Sequence, residues 1–201
     1  MKKLSQKSVL LFGVVLAVCA FVGPSMASAA SWSGLGTHQL FSPNLSFITG
    51  APNFIGWSCA QSTFDTVVTN GADAAVIGSR FSNCRGLPGA AGSCTLTPTG
   101  SRFPWTATAT ATATDNIQIH NMHVNLAFEA LPGTAASECL TFGLQITLTG
   151  TLTGGSWNPT SKEIAFTNAH GLAGHANSGG VLGLALTGTI RDIANTLNVI
   201  M

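Results

Sequence analysis

The feature that most constrains this chain is a two-residue rhythm. Across residues 140–152 the side chains of Leu140, Phe142, Leu144, Ile146, Leu148 and Leu152 fall on one face, and those of Thr141, Gln145, Thr147, Thr149 and Thr151 on the other. Successive side chains of a β-strand point to opposite sides of its sheet, so this spacing predicts a half-buried strand with an apolar side on a core and a threonine side on water or a groove. Beyond residue 29 no segment keeps a 3.6-residue apolar period over ten positions, so strands are expected to build the fold.

The rhythm recurs. Thr and Ala alternate over residues 106–114, sending hydroxyls to one side and methyls to the other. Read as a simple-composition tract the segment has no special role; the sharper alternative is a flat hydroxyl array offered to a partner. Asp115 and Asn116 suit a turn, after which Met122, Val124, Leu126 and Phe128 alternate with Asn121, His123 and Asn125, giving a hairpin. A second hairpin joins residues 148–157 through Asn158, Pro159, Thr160 and Ser161 to Ile164, Ala165 and Phe166, with Pro159 presetting the turn. A Gly-rich loop is expected over residues 171–180, then a last strand over 181–190. Hairpins in series without intervening helices predict an all-β, antiparallel β-sandwich of Greek-key or meander type, with a barrel as the alternative.

The N-terminus carries Lys2, Lys3 and Lys7, an apolar run from Val9 to Val22, then Gly23, Pro24 and the small residues Ala27, Ser28 and Ala29. These are the three parts of a cleavable secretory signal. An apolar helix of about 14 residues rises only about 21 Å, short of the roughly 30 Å hydrocarbon core of a bilayer. Lipidation at Cys19 is the competing reading, but bulky Val18 stands where a lipobox wants a small residue. Residues 1–29 are therefore expected to be removed at the Ala27/Ala29 site, leaving residues 30–201 as a single secreted β-domain. Removing the three lysines leaves five cations against seven acids, a net charge of about −2. That balance lacks the basic footprint of nucleic-acid binding or of attraction to anionic headgroups.

Four cysteines remain after the signal: Cys59, Cys84, Cys94 and Cys139. An even number in an exported chain points to disulfides, and four cysteines permit three pairings. Asn70 and Gly71 form a turn signal between two strand-like runs, and a register centred between Gly71 and Ala72 sets Cys59 opposite Cys84. Elimination then joins Cys94 to Cys139, while a Cys84–Cys94 staple around Gly86, Pro88 and Gly89 stays open as the rival. No two cysteines have the two-residue spacing of a zinc site.

Chemistry-bearing residues are sparse. His120 and His123, three apart, should point to opposite sides of a strand; His170 and His175 flank the Gly-rich segment without a neighbouring carboxylate. Asp65 and Asp73 can approach each other across the first hairpin, but a surface pair near a turn lacks the cleft a glycosidase dyad needs. No Gly-x-Ser-x-Gly elbow, zincin helix, P-loop or dinucleotide fingerprint occurs. The expectation is a protein without a catalytic site, cofactor or metal. Trp32, Trp57, Trp105 and Trp157 are read as core filler, with sugar or lipid binding as the alternative for any that face outward.

Asn83-Cys84, the run Cys94-Thr95-Leu96-Thr97-Pro98, Pro104-Trp105, Cys139 and the later hairpin from Leu152 to Trp157 together resemble a group of secreted bacterial proteins, many actinobacterial. More distantly they are similar to the extracellular activators of alkane oxidation. The resemblance spans roughly residues 55–190 and brings no catalytic residue with it. It implies an extracellular β-protein connected with surfaces, adhesion or hydrophobic substrates. The expected function is thus a secreted, non-enzymatic β-domain acting at the cell exterior through surface or protein contacts. Behind it stand a binding module for a small apolar ligand such as a lipid or hydrocarbon, a small outer-membrane barrel and an extracellular hydrolase.

Overall fold

A computed structural model describes residues 30–49, 55–88, 92–111 and 116–200. The signal segment, Ala27 and Ala29 within it, and the turn residue Asp115 lie outside the described residues. Twelve strands follow in chain order: β1 (Ser31–Ser33), β2 (Gly36–Ser42), β3 (Leu45–Thr49), β4 (Gly56–Val68), β5 (Asp73–Gly86), β6 (Cys94–Gly100), β7 (Trp105–Ala109), β8 (Ile117–Ala130), β9 (Gln145–Asn158), β10 (Glu163–Ala176), β11 (Val181–Asp192) and β12 (Asn198–Ile200). One 3-10 turn, Ala136–Glu138, is the only helical piece among the described residues.

Two of the staves are broken strands. β2 and β3 both pair with β4 and with β11, interrupted only at Pro43 and Asn44, where proline cannot donate to the ladder. β6 and β7 likewise both lie between β5 and β8, interrupted by residues 101–104, which include the cis Phe103–Pro104 bond. Counted this way, eight staves run up and down in chain order, each antiparallel to the next, and β11 returns to pair with β2 and β3. The all-β antiparallel class is realised in its alternative form, as a closed barrel. Hairpin periodicity alone does not say whether the last strand meets the first; here Leu186 pairs with Phe47 and Arg191 with Phe41, so the sheet closes on itself.

Every second side chain enters the barrel. Leu148, Trp57 and Trp105 are fully buried, and Phe128, Phe166, Leu126 and Leu152 nearly so. Phe47 stacks on Trp57 with centroids 5.1 Å apart, and Phe128 meets the same indole edge-on at 6.2 Å. Each such side chain removed from water contributes about 1.5–3 kcal/mol, which is how a chain so poor in charge secures its fold.

The expected strand over residues 140–152 begins later, at Gln145. Leu140 and Phe142 are 77% and 56% exposed, while Thr141 between them is buried. The cause is the disulfide: Cys139 is held inside, Thr141 Oγ1 lies 3.1 Å from Cys94 Sγ, and tight backbone bonds from Phe142 N to Cys139 O and from Leu144 N to Thr141 O make this stretch a turn. The Gly-rich segment differs too, since β10 runs on to Ala176 and only residues 177–180 turn. Its glycines serve a close approach: a Cβ on Gly150 would sit 2.4 Å from Gly171 O, and one on Gly171 only 2.1 Å from Thr151 O. Both glycines have positive φ, at 136° and 100°, and both lie at register shifts where the wall bends.

The first hairpin pairs as expected around its cysteines, with Cys59 opposite Cys84; a bulge at Ile77 shifts the register by one between there and the turn, so that Val68 meets Ala74. Asn70 Oδ1 accepts from the backbone N–H groups of Ala72 and Asp73, closing that turn.

One end of the barrel is capped by the two ends of the described chain. β1 pairs with β12, Trp32 N donates to Gly71 O at 2.7 Å, and the Trp32 indole reaches inward to donate to Ala107 O at 3.1 Å. Beneath this ribbon Asp192 Oδ2 accepts from Thr196 N at 2.8 Å, Leu197 N at 2.9 Å and Thr196 Oγ1 at 3.1 Å, and pairs with His38 Nδ1 at 3.2 Å. His38 Nε2 makes a short contact with the Gly34 carbonyl. Burial by itself would raise the Asp192 carboxyl, but the backbone amides of Leu197 and Thr196, with His38 and the Thr196 hydroxyl, together hold it below the usual carboxylate value.

Candidate functional site

Among the described residues the barrel interior is largely filled by side chains. What space remains is an apolar void of about 30 Å³ lined by such side chains as Trp32, Phe64, Trp105, Met122, Leu186 and Leu197. That is room for about two waters, and apolar walls give water nothing to bond. All four tryptophans are buried, none more than 5% exposed, so none offers a stacking platform on the surface.

The outer wall is where polar chemistry gathers. Along β9 the side chains of Thr147, Thr149, Thr151 and Thr153 alternate with the buried Ile146, Leu148 and Leu152. Neighbouring strands frame this ladder: Asn125 and His175 stand opposite Thr147, His123 opposite Thr149, and His170 opposite Thr153. His120 joins it through Thr108 Oγ1 at 2.9 Å and Thr151 Oγ1 at 3.5 Å.

His120 and His123 therefore share the outer wall, contrary to the expectation of opposite faces. Asn121, at φ 58°, is an extra residue in β8: Ile119 pairs with Leu152 and Met122 with Gly150, three steps against two. The bulge resets the alternation, so Ile119 and Met122 both line the interior and both histidines point out.

His123 belongs to a hydrogen-bonded cluster on this wall. Its Nδ1 lies 2.6 Å from Ser101 Oγ, in the link between β6 and β7, while Ser101 N donates to His123 O at 2.9 Å. Asn125 Nδ2 donates to Ser101 Oγ at 3.4 Å, and Asn125 Oδ1 accepts from Thr147 Oγ1 at 3.1 Å. Burial first, and the positive charge of Arg102 second, lower the affinity of His123 for a proton. Asn125 also forms one wall of a surface groove of about 340 Å³ across β6, β8 and β9, shared with Thr97, Thr99, Ala127, Gln145 and Thr147 and free of charged side chains. Sequence reasoning missed Ser101 because its partner is 22 residues away and the bulge that aims His123 leaves no local pattern beyond an asparagine.

Of the residues singled out from sequence, Cys59 is bonded to Cys84 and Cys94 to Cys139, with Cα–Cα distances of 3.9 and 5.0 Å. Both bridges lie at the barrel end opposite the cap. His170 and His175 sit on β10, not on a loop, and no group of three or more His, Cys, Asp or Glu side chains among the described residues is placed to hold a metal ion. Asp65 and Asp73 are not brought together: Asp65 stands opposite Gly78 with Arg80 Nη2 at 3.7 Å, and Asp73 stands opposite Thr108. The hydroxyls of the 106–114 tract that are described in β7, Thr106 and Thr108, do face outward, with Ala107 inward; residues 112–115 lie outside the described part.

Compared with protein-family models, with curated proteins and with solved structures, the chain matches none.

Proposed function

We propose that the chain is exported and that its barrel acts at the cell exterior through surface or protein contacts made by the outer wall. The observation that carries this reading is the contrast between a filled interior and a hydrogen-bonding exterior. A void of about 30 Å³ is far smaller than a ligand pocket, which favours partners met on the outside. There, threonine, asparagine, glutamine and histidine side chains stand in register across neighbouring strands. The two disulfides accord with an oxidising compartment, and no described helix is long and apolar enough to cross a membrane. Outward threonines with inward leucines are the reverse of a lipid-facing barrel, whose outer band is apolar.

A small apolar ligand held in the barrel is the second reading. Its support is the largely apolar lining; against it stands the volume of about 30 Å³. The test runs both arms on the purified mature protein. Incubation with a lipid and hydrocarbon extract, followed by mass spectrometry, should return an empty protein, and sedimentation with intact cell envelopes should retain it. Replacing Thr149, Thr151 and Thr153 together by Glu should abolish retention with an unchanged circular dichroism spectrum. A co-purified hydrocarbon, or retention indifferent to the triple substitution, would overturn the proposal.

A further inference from the structure

The Ser101 and His123 cluster has the parts of a nucleophile and its base, a pairing that surface contact does not require. A serine hydroxyl is a weak nucleophile unless a neutral imidazole stands ready to take its proton. Here Oγ and Nδ1 are 2.6 Å apart, hydrogen-bonding distance without substrate present. Asn125 Nδ2 donates to the same Oγ, so the hydroxyl proton is directed to the imidazole while the lone pairs carry a second donor that steadies developing negative charge. His123 is only 9% exposed and Arg102 lies beside it, and burial first and that charge second disfavour the protonated ring. The residue after the serine, Arg102, adopts φ 53°, and among the described residues its backbone N–H makes no hydrogen bond. An amide immediately following the nucleophile is the usual donor to an acyl oxyanion. The groove that starts at Asn125 supplies a berth of about 340 Å³ with hydroxyl and amide groups and no charge.

We propose that Ser101 and His123 form an acyl-transfer site for esters of neutral, hydroxyl-rich alcohols. Ser101 Oγ attacks the ester carbonyl as its proton passes to His123 Nδ1. The tetrahedral oxyanion is met by the Arg102 amide, and the C–O bond to the alcohol breaks as the imidazolium returns the proton to the leaving oxygen. Water, deprotonated by the same imidazole, then attacks the acyl carbon, and the C–O bond to Ser101 breaks as the imidazolium returns the proton to Oγ, releasing the free acid. The neutral alcohol would lie along Thr97, Thr99, Gln145 and Thr147, whose side chains both donate and accept hydrogen bonds as sugar hydroxyls do. The activity goes beyond the contact reading and does not depend on it, although it departs from the expectation of a protein without a catalytic site.

The test uses the mature protein with a fluorophosphonate probe, p-nitrophenyl acetate and an acetylated neutral polysaccharide. Peptide mass spectrometry should find the phosphonyl adduct on Ser101. Ser101→Ala should abolish it, and His123→Gln should slow both labelling and ester turnover by at least about a hundredfold. The rate should fall on acidification below the ordinary imidazole value as the ring protonates. Burial first and the charge of Arg102 second set this limb; the residues beside His123 across the strands, Ser101 and Thr149, are uncharged. Ser101→Ala leaves the backbone bond to His123 in place, so an unchanged circular dichroism spectrum separates lost chemistry from lost folding. Absence of any adduct, or labelling and turnover equal in Ser101→Ala, would overturn the proposal.

Discussion

Single side chains show how closely this barrel depends on its interior. Leu148 is fully buried between neighbouring staves, so Leu148→Ala should destabilise the protein by about 2–5 kcal/mol in urea titration, through lost transfer energy and the cavity left behind. At the cap, Asp192 gathers backbone and side-chain donors that only a carboxylate satisfies. Asp192→Asn should cost about 1.5–3 kcal/mol, because the Thr196 and Leu197 amides and the Thr196 hydroxyl lose a charged acceptor. Its carboxyl is held below 3.8 and the His123 imidazole below 6.5, so in both cases the unfolded chain binds the proton first. Both contributions are therefore present at higher pH and are lost on acidification, that of His123 as pH drops below about 6.5 and that of Asp192 below about 3.8. Thermal unfolding followed from pH 7 to pH 3 should show the melting temperature falling through both windows, with the lower step absent in Asp192→Asn.

Among the elements, the hairpins were legible and the interruptions were not. The β9–β10 turn at Pro159 is signalled by its residues, and the structure closes it with Asn158 Oδ1 accepting from Thr160 N and Ser161 N. The cysteine register followed from the same kind of reasoning about turns. Leu140 and Phe142 extended the pattern in sequence but not in space, because the Cys94–Cys139 bridge claims the segment for a turn. The bulge at Asn121 is silent in the sequence, since one extra residue changes neither composition nor apolar count, yet it decides which wall His120 and His123 share. His38 and Asp192, 154 residues apart, left no signal in the sequence at all. The glycine pair where β9 and β10 bend yields a sharper prediction at this scale. Gly171→Ala would force a methyl onto the Thr151 carbonyl and a left-handed backbone onto an alanine, and should destabilise the fold by at least about 1–3 kcal/mol in urea titration, whereas Gly183→Ala, with open space around it, should not.

For the molecule as a whole, closure is the claim from which the rest follows. Because β11 pairs with β3, the sheet encloses its apolar side chains, the interior fills, and the outer wall becomes the working surface. An open sandwich of the same hairpins would leave two strand edges and place different side chains outside. The direct measurement is a nuclear Overhauser experiment on the mature, oxidised protein. Cross-strand backbone contacts are expected between Ile48 and Ala185 and between Phe47 and Leu186, with the intervening amides protected from hydrogen exchange. If those contacts are missing and the amides of β3 and β11 exchange freely as sheet edges, the barrel is not closed and the account fails.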